Sequence, residues 1–299
     1  MKVEEKEVNG FRIKLFFLNE FMIGIPVDIG PRILYFASKE KPESNLFEVL
    51  PEAGMPTSEG FWKIYGGHRL WSSPEAKPRS YSLDDKPVKI EIDKEAVTIY
   101  GNPEPANSIQ KTITIMPHHK GGIQVIHAIK NIGRWPITLA CWALSIVKPK
   151  GFAIIPIHPS RIDEEGLLPD RHITIWPYTN LSDKRLMFTD DFIFVKQDPE
   201  IENPIKIGTM ANPSWTAYWV DGNVFLKEFQ KKEGEYPDFG CSVEVYTNAD
   251  MLELETLSPL QTLEPNGTVE HTEIWRIFDV EELTPKPEEI KRKLEPLIA

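Results

Sequence analysis

The sequence predicts an all-β protein, a large antiparallel β-sandwich closed off by a short C-terminal helix. Three observations lead there. Apolar runs are short, about seventeen in number, and rich in β-branched and aromatic residues, with no helical periodicity before the segment 284–299. The 26 prolines and 18 glycines fall mostly between those runs, where turns require them. Period-two alternation is explicit in places: Ile123, Val125, His127 and Ile129 take one face of their strand, Gln124 and Lys130 the other. Strands with no helices between them pair antiparallel and pack face to face.

Taken in order, strands are expected over Phe11–Phe17, Phe21–Val27, Arg32–Phe36, Val88–Ile92, Ala96–Tyr100, Ile109–Met116, Gly122–Asn131, Ile137–Val147 and Phe152–Ile157. They continue over Ile173–Trp176, Phe192–Lys196, Ile205–Thr209, Thr216–Val220, Val224–Phe229, Cys241–Thr247, Met251–Leu257 and Thr268–Phe278. No low-complexity tract or composition break marks a linker, so 1–299 reads as a single domain. The helix is expected over 284–299, capped by Thr284, with Pro285 and Pro287 in its first turn and Ile290, Leu294 and Leu297 facing the sandwich.

Composition narrows the partners. A hydrophobic share of 41% and a charged share of 26% suit a globular core. A formal charge of −11 argues against nucleic acid and anionic membranes, which reward basic surfaces. The acidic N-terminal stretch Met1–Glu7 lacks the basic start and apolar run of a signal peptide, and Trp135–Val147 is too short to span a bilayer. A cytoplasmic monomer or weak homodimer is therefore expected. Cys141 and Cys241 read as buried free thiols, and neither has metal-ligand spacing.

Two stretches carry chemistry. Tyr65-Gly66-Gly67-His68-Arg69-Leu70-Trp71, running on to Glu75, sets an imidazole, a guanidinium, an indole and a carboxylate beside two glycines. That mix of proton-transfer group, donor fork and flat apolar face suits a sugar. In the strand from Met251, Glu253 and Glu255 point the same way, about 7 Å apart, and a crowded pair of carboxylates raises the pKa of at least one. Pairing through a three-residue turn, Asn248-Ala249-Asp250, would set Val243 and Val245 on the face of these acids, as suits a cleft better than a solvated surface. Lys227 inside an apolar strand, His158 at a strand end and Trp176 in Ile-Trp-Pro-Tyr are further candidates for ligand contact. His127, on an apolar face, reads as a core histidine. His118 and His119 face opposite ways and do not pair as metal ligands.

Read through an all-β chain, these stretches resemble the galactose mutarotase-like (aldose 1-epimerase) superfamily. Leu254-Glu255-Thr256 is similar to the Leu-Glu-Thr that carries its catalytic base. Leu263-Glu264-Pro265-Asn266-Gly267 and Thr272-Glu273-Ile274-Trp275 are similar to its closing turn and last strand. Gly67-His68-Arg69-Leu70-Trp71, Tyr236-Pro237-Asp238 and Glu253-Leu254-Glu255-Thr256-Leu257 together resemble one group within it. The resemblance implies a super-sandwich with a sugar cleft on a concave sheet face and an enzyme that interconverts sugar anomers without metal or organic cofactor. It implies Glu255 as base; the reading of the residues themselves adds His68 as acid, with Arg69, Trp71, Glu75, Glu253, Lys227, Trp176 and His158 around the sugar. The chain departs from the mutarotases at Cys141-Trp142-Ala143-Leu144-Ser145, where no histidine stands. That departure keeps two other readings open, a non-catalytic carbohydrate-binding module and a lyase or hydrolase acting on polysaccharide.

Overall fold

The computed structural model describes residues 2–160 and 163–298. Two antiparallel sheets face each other. The ten-stranded sheet runs Leu186–Phe188, Phe192–Lys196, Phe152–Pro156, Trp215–Val220, Asn223–Phe229, Thr268–Asp279, Ile123–Asn131, Ile109–Pro117, Ala96–Tyr100, Lys89–Asp93. The eight-stranded sheet runs Thr174–Ile175, Ile205–Thr209, Val243–Thr247, Leu252–Leu257, Ile137–Val147, His68–Ser73, Arg32–Ile33, with Gln261–Leu263 pairing off this path onto Ile137–Val147. Alternation places Ile123, Val125, Ile129, Val269 and Trp275 of one sheet against Leu70, Leu254, Val243 and Val245 of the other, and this layer is the main core.

The expected strand Arg32–Phe36 divides at Leu34. Arg32–Ile33 joins the eight-stranded sheet, and Tyr35–Ser38 joins a four-stranded N-terminal sheet with Lys2–Val8, Phe11–Leu18 and Phe21–Pro26. The Leu34 N–H bonds to the Gly24 carbonyl at the corner, so the chain changes sheets without an orphaned donor. Lys2–Val8 lies at the sheet edge, and its charged exposed face gave no apolar signal. The hairpin Val49–Thr57 and Gly60–Gly66 contains Pro51, Gly54 and Pro56, residues that read as breakers but sit in an isolated two-stranded ribbon.

The C-terminal helix forms over Pro287–Lys293, followed by a separate turn, Glu295–Ile298; residue 299 lies outside the described residues. Thr284 is not its cap. Lys286 precedes a proline and stays extended at φ −132°, ψ 134°, so helical geometry begins only at Pro287. Ile290 and Leu294 pack on Phe152, Phe192, Trp215 and Leu226 of the ten-stranded sheet's outer face. Leu297 is exposed instead, because Pro296 has no N–H to carry the helix on.

The turn into the His68 strand is a tight local constraint. Gly66 has φ +84° and Gly67 φ +66°, and a Cβ on Gly66 would lie 2.2 Å from the Glu48 carbonyl oxygen. Gly66→Ala is therefore expected to cost roughly 2 kcal/mol or more in urea unfolding, through strained φ and the clash together. Wild-type stability in that variant would contradict the turn geometry.

Candidate active site

One sheet carries two polar clusters, on opposite faces. The register sets Arg32, Arg69, Leu144, Glu255, Glu244, Gly208 and Thr174 in a single row across the eight-stranded sheet. Residues directly opposite in a ladder share a face, so this row points away from the partner sheet. The next row holds Ile146, Glu253, Tyr246 and Lys206, and the row on the other side holds Trp71, Trp142 and Leu257.

On this outer face the charges interlock. Arg69 Nη2 donates to Glu253 Oε1 at 2.7 Å, and its guanidinium lies 4.6 Å from the Trp71 ring. Lys206 Nζ donates to Glu255 Oε2 at 2.9 Å and lies 2.7 Å from Glu244 Oε2 at an angle that makes a charge contact only. The Lys206 ammonium is flanked by Trp142 at 4.5 Å and Trp176 at 4.7 Å. Trp142 Nε1–H donates to Glu255 Oε2 at 2.6 Å. Glu255 Oε1, Glu244 Oε1, Arg69 Nε and Arg69 Nη1 are buried with no hydrogen-bond partner among the described residues. Gly208 makes room for Glu244, since a Cβ there would lie 3.0 Å from Glu244 Cγ.

Burial pushes the Glu244 carboxyl well above the usual carboxylate range and raises Glu255 as well, with Lys206 opposing both shifts. Burial alone would lower the Lys206 ammonium, but Glu244 and Glu255 together outweigh it and raise its pKa. The face thus offers a firmly charged lysine between two carboxyls that resist ionisation to different degrees. Trp62, Trp71 and Tyr81 stack over the Arg69 half. Glu75, exposed, is hydrogen-bonded by the Tyr81 hydroxyl at that rim.

His68 is not on this face. It neighbours Arg69 in an extended strand and so points the other way, into the sandwich. Of His68, Arg69 and Glu255, expected around one pocket, Arg69 and Glu255 share the outer face and His68 lies on the other. Inside, His68 Nε2 lies 2.7 Å from His127 Nε2, and its Nδ1 lies 2.8 Å from Ser145 Oγ. His127 Nδ1 donates to the His271 carbonyl, so its Nε2 is the acceptor; His68 Nε2–H donates to it and Ser145 donates to His68 Nδ1. Thr256 donates to Glu273 and accepts from His271 Nε2–H. Lys227 Nζ closes the cluster 3.1 Å from Glu273 Oε1. Lys227 therefore belongs to this inner network. His158 belongs to neither cluster; it stands at the far end of the other sheet, edge-on to Phe192 and 3.4 Å from Glu295.

The ligand atoms of His68, His127 and Glu273 lie within 4.8 Å of one another, a spacing a metal could use. The fit is poor. The two imidazole nitrogens are at hydrogen-bond distance from each other, and the Glu273 carboxylate is engaged by Lys227, Thr256 and Trp275 Nε1.

The acid-bearing hairpin also differs in register from the three-residue expectation. Thr247 pairs with Leu252 across a four-residue loop, 248–251. One extra loop residue moves Val243 and Val245 to the core face and brings Glu244 and Tyr246 beside Glu255 and Glu253. Glu244, Lys206, Trp142 and Tyr246 were missed in the sequence. The signal available was a single charge alternating with β-branched residues in Val243-Glu244-Val245 and Ile205-Lys206-Ile207.

Fold and site together define a β-sandwich protein with a buried, aromatic-flanked acid–base cluster on the outer face of one sheet. Compared by sequence, the chain matches no family model and no curated protein. Its fold is galactose mutarotase-like. It is similar to a galactose mutarotase-like protein from Lactobacillus casei, with a TM-score of 0.58 and 9% identity over 93% of this chain and 100% of that one. A second similar structure is a putative mutarotase from Salmonella typhimurium, with a TM-score of 0.56 and 9% identity over 93% and 94% of the two chains. A third is a TPR-domain containing protein from Parabacteroides distasonis, with a TM-score of 0.62 and 12% identity over 93% of this chain; the present chain spans about half of that one's length, 49%. Among the described residues no helix is long and apolar enough to cross a membrane.

The inner cluster makes a pH prediction. Burial lowers His68 and His127, and holds His271 down at about 3 against an ordinary 6.5. The unfolded chain therefore binds protons below pH 6.5 that the folded chain refuses, and stability falls as pH drops from there toward 3. His271 contributes about 1.4 kcal/mol per pH unit in that window, and His68 and His127 act in the same sense. Glu244 and Glu255, raised on folding, act in the opposite sense, so the readout is a difference. His271→Gln should flatten the slope of unfolding free energy against pH by about one proton between pH 6 and 4.5. An unchanged slope would contradict a buried neutral His271.

Proposed function

We propose that the protein is an aldose 1-epimerase-like enzyme that binds a sugar on the outer face of the eight-stranded sheet and interconverts its anomers. The observation that carries this reading is Glu255. One carboxylate oxygen is fixed by Trp142 and Lys206, while the other, Oε1, is buried without a hydrogen-bond partner among the described residues. A base held at one oxygen and open at the other is positioned to take a proton from a hydroxyl.

Glu255 Oε1 accepts the proton of the anomeric hydroxyl. Electrons from O1 form the aldehyde as the bond from C1 to the ring oxygen breaks, and the ring oxygen takes a proton. With His68 on the other face, the acid in this proposal is Glu244. It stands directly opposite Glu255 in the antiparallel ladder, Cα atoms about 5 Å apart, and burial keeps it protonated more strongly than Glu255. Rotation about C1–C2 and closure on the other side, with the proton roles reversed, give the second anomer. Lys206, between the two carboxyls, stabilises whichever is ionised. Arg69 donates to ring hydroxyls, and Trp71, Trp142 and Trp176 supply apolar faces for the sugar's C–H surface. Glu244 and Glu255 are fully buried, so entry displaces part of the aromatic cover, of which Trp176 and the exposed Tyr178 form the outer portion. Two free buried thiols accord with a reducing, cytoplasmic setting.

The placement of His68 inside the core favours one competing reading, a carbohydrate-binding module with no catalysis. Anomer exchange followed by saturation-transfer NMR separates the two. Glu255→Gln and Glu244→Gln should each slow exchange by about 100-fold or more while sugar affinity stays within a few-fold. His68→Asn should change stability and leave exchange per folded molecule nearly intact. A wild type that binds sugar yet never exceeds the buffer rate would retire the enzyme and leave the binding module.

A further inference from the structure

The segment Tyr236-Pro237-Asp238-Phe239-Gly240 has a backbone that ordinary packing does not require. Asp238 (φ 52°, ψ 49°) and Phe239 (φ 62°, ψ 25°) are consecutive non-glycine residues in the left-handed region. Such a conformation is unfavourable for a residue with a side chain and persists only where its surroundings enforce it. They do so here. Cys241 N–H bonds to the Pro237 carbonyl at 2.9 Å, Thr174 Oγ1 donates to the Asp238 carbonyl at 3.1 Å, and Cys241 Sγ reaches that same carbonyl. The result is a phenyl ring on Phe239 that is 93% exposed.

That ring stands at the edge of a cavity of about 750 Å³ bordered by Pro74, His172, Met210, Tyr236 and Asp238. The cavity adjoins the sheet that carries the candidate active site. Met210 comes two residues after Gly208, and His172 two residues before Thr174, and Gly208 and Thr174 end the row that contains Glu255 and Glu244. Met210 follows directly on the strand Ile205–Thr209 and His172 lies just before the strand Thr174–Ile175, so the cavity borders this sheet at the ends of its strands. Pro74 follows the strand that carries Arg69 and Trp71. Its border includes Glu235, Asp238 and Asp170 and, among the described residues, no lysine or arginine. Such a lining repels polyanions and accepts hydroxyl donors.

We infer that this cavity is a second carbohydrate subsite, with Phe239 as its stacking platform, and that the ligand is a neutral glycan longer than one sugar ring. The inference rests on the proposed sugar site at Glu255 and extends it. One ring occupies the Arg69–Glu255–Glu244 row, and the next lies in the cavity with its C–H face on Phe239 and its hydroxyls toward Asp238 and His172. The strained turn then has a purpose: it presents an aromatic face to solvent where a packed conformation would bury it.

Calorimetric titration with malto-, cello- and galacto-oligosaccharides of one to four residues tests this on the wild type, Phe239→Ala and Phe239→Trp. Phe239 makes little of the core, so both variants should fold. For at least one series the wild type should bind the longer members roughly three- to tenfold more tightly than the monosaccharide, as one added aromatic stack provides. Phe239→Ala should abolish that gain without changing monosaccharide affinity, and Phe239→Trp should keep it. Monosaccharide binding with no dependence on chain length overturns the second subsite and leaves the Glu255 site standing. Equal weakening of every ligand by Phe239→Ala also overturns it. Binding of no member of any series overturns both readings.

Discussion

Lys227 is the side chain on which both halves of the account depend. It is fully buried on the ten-stranded sheet, pairs with Glu273 on its own sheet, and reaches across the sandwich to the carbonyls of Leu254 at 3.0 Å and Ala143 at 3.4 Å. Those carbonyls belong to the two strands whose opposite faces carry Glu255 and Trp142. A buried ammonium is tolerated only when each of its donors is used, and here the partners are one carboxylate and the backbone beneath the acid row. The inner network therefore fixes the floor of the outer site. Burial lowers the Lys227 pKa, and Glu273 opposes the shift, while Lys227 in turn holds the Glu273 carboxyl at about 2. Burial likewise works against protonation of the three histidines around the pair.

The same physics produces a different outcome on the other face. Inside, each polar group of the histidine–Glu273–Lys227 cluster finds a partner, and Ser145 is bonded to His68. Outside, Arg69, Glu244 and Glu255 retain unpartnered atoms despite equal burial. A buried unpaired donor or acceptor costs about 1–3 kcal/mol, so a cluster that keeps several is either destabilising or reserved for a ligand. The aromatic faces of Trp71, Trp142 and Trp176 beside the Arg69 and Lys206 cations support the second interpretation.

Much of this was legible in the sequence. Fold class, the facing of Ile123, Val125, His127 and Ile129, and the shared face of Glu253 and Glu255 follow from period-two alternation alone. What was not legible depended on single-residue register. His68 and Arg69 are adjacent, so a strand through them must separate them, yet their clustering in sequence invited a common pocket. The Asn248–Met251 loop is one residue longer than expected, and that residue decides whether valines or Glu244 stand beside Glu255. Lys206 joins the site from a strand almost fifty positions away from Glu255, through pairings that no local pattern reveals. The exposed Lys2–Val8 strand and the proline-containing Val49–Thr57 strand were invisible because hydrophobic patterning reports burial, and these strands bury little.

The outer face of the ten-stranded sheet offers a rival location. A groove of about 790 Å³ runs beside the C-terminal helix, past His118, Gln124, Trp215, Glu228 and Ile274. Its two carboxylates are each engaged, Glu228 by Arg276 and Glu295 at 3.4 Å from His158. A crystal structure with a saturating monosaccharide decides between them. The account predicts sugar density over the Arg69–Glu255–Glu244 row, within hydrogen-bond distance of Glu255 Oε1, with Trp176 displaced. Density confined to the groove beside the helix, with the Glu255 row unchanged, would contradict it.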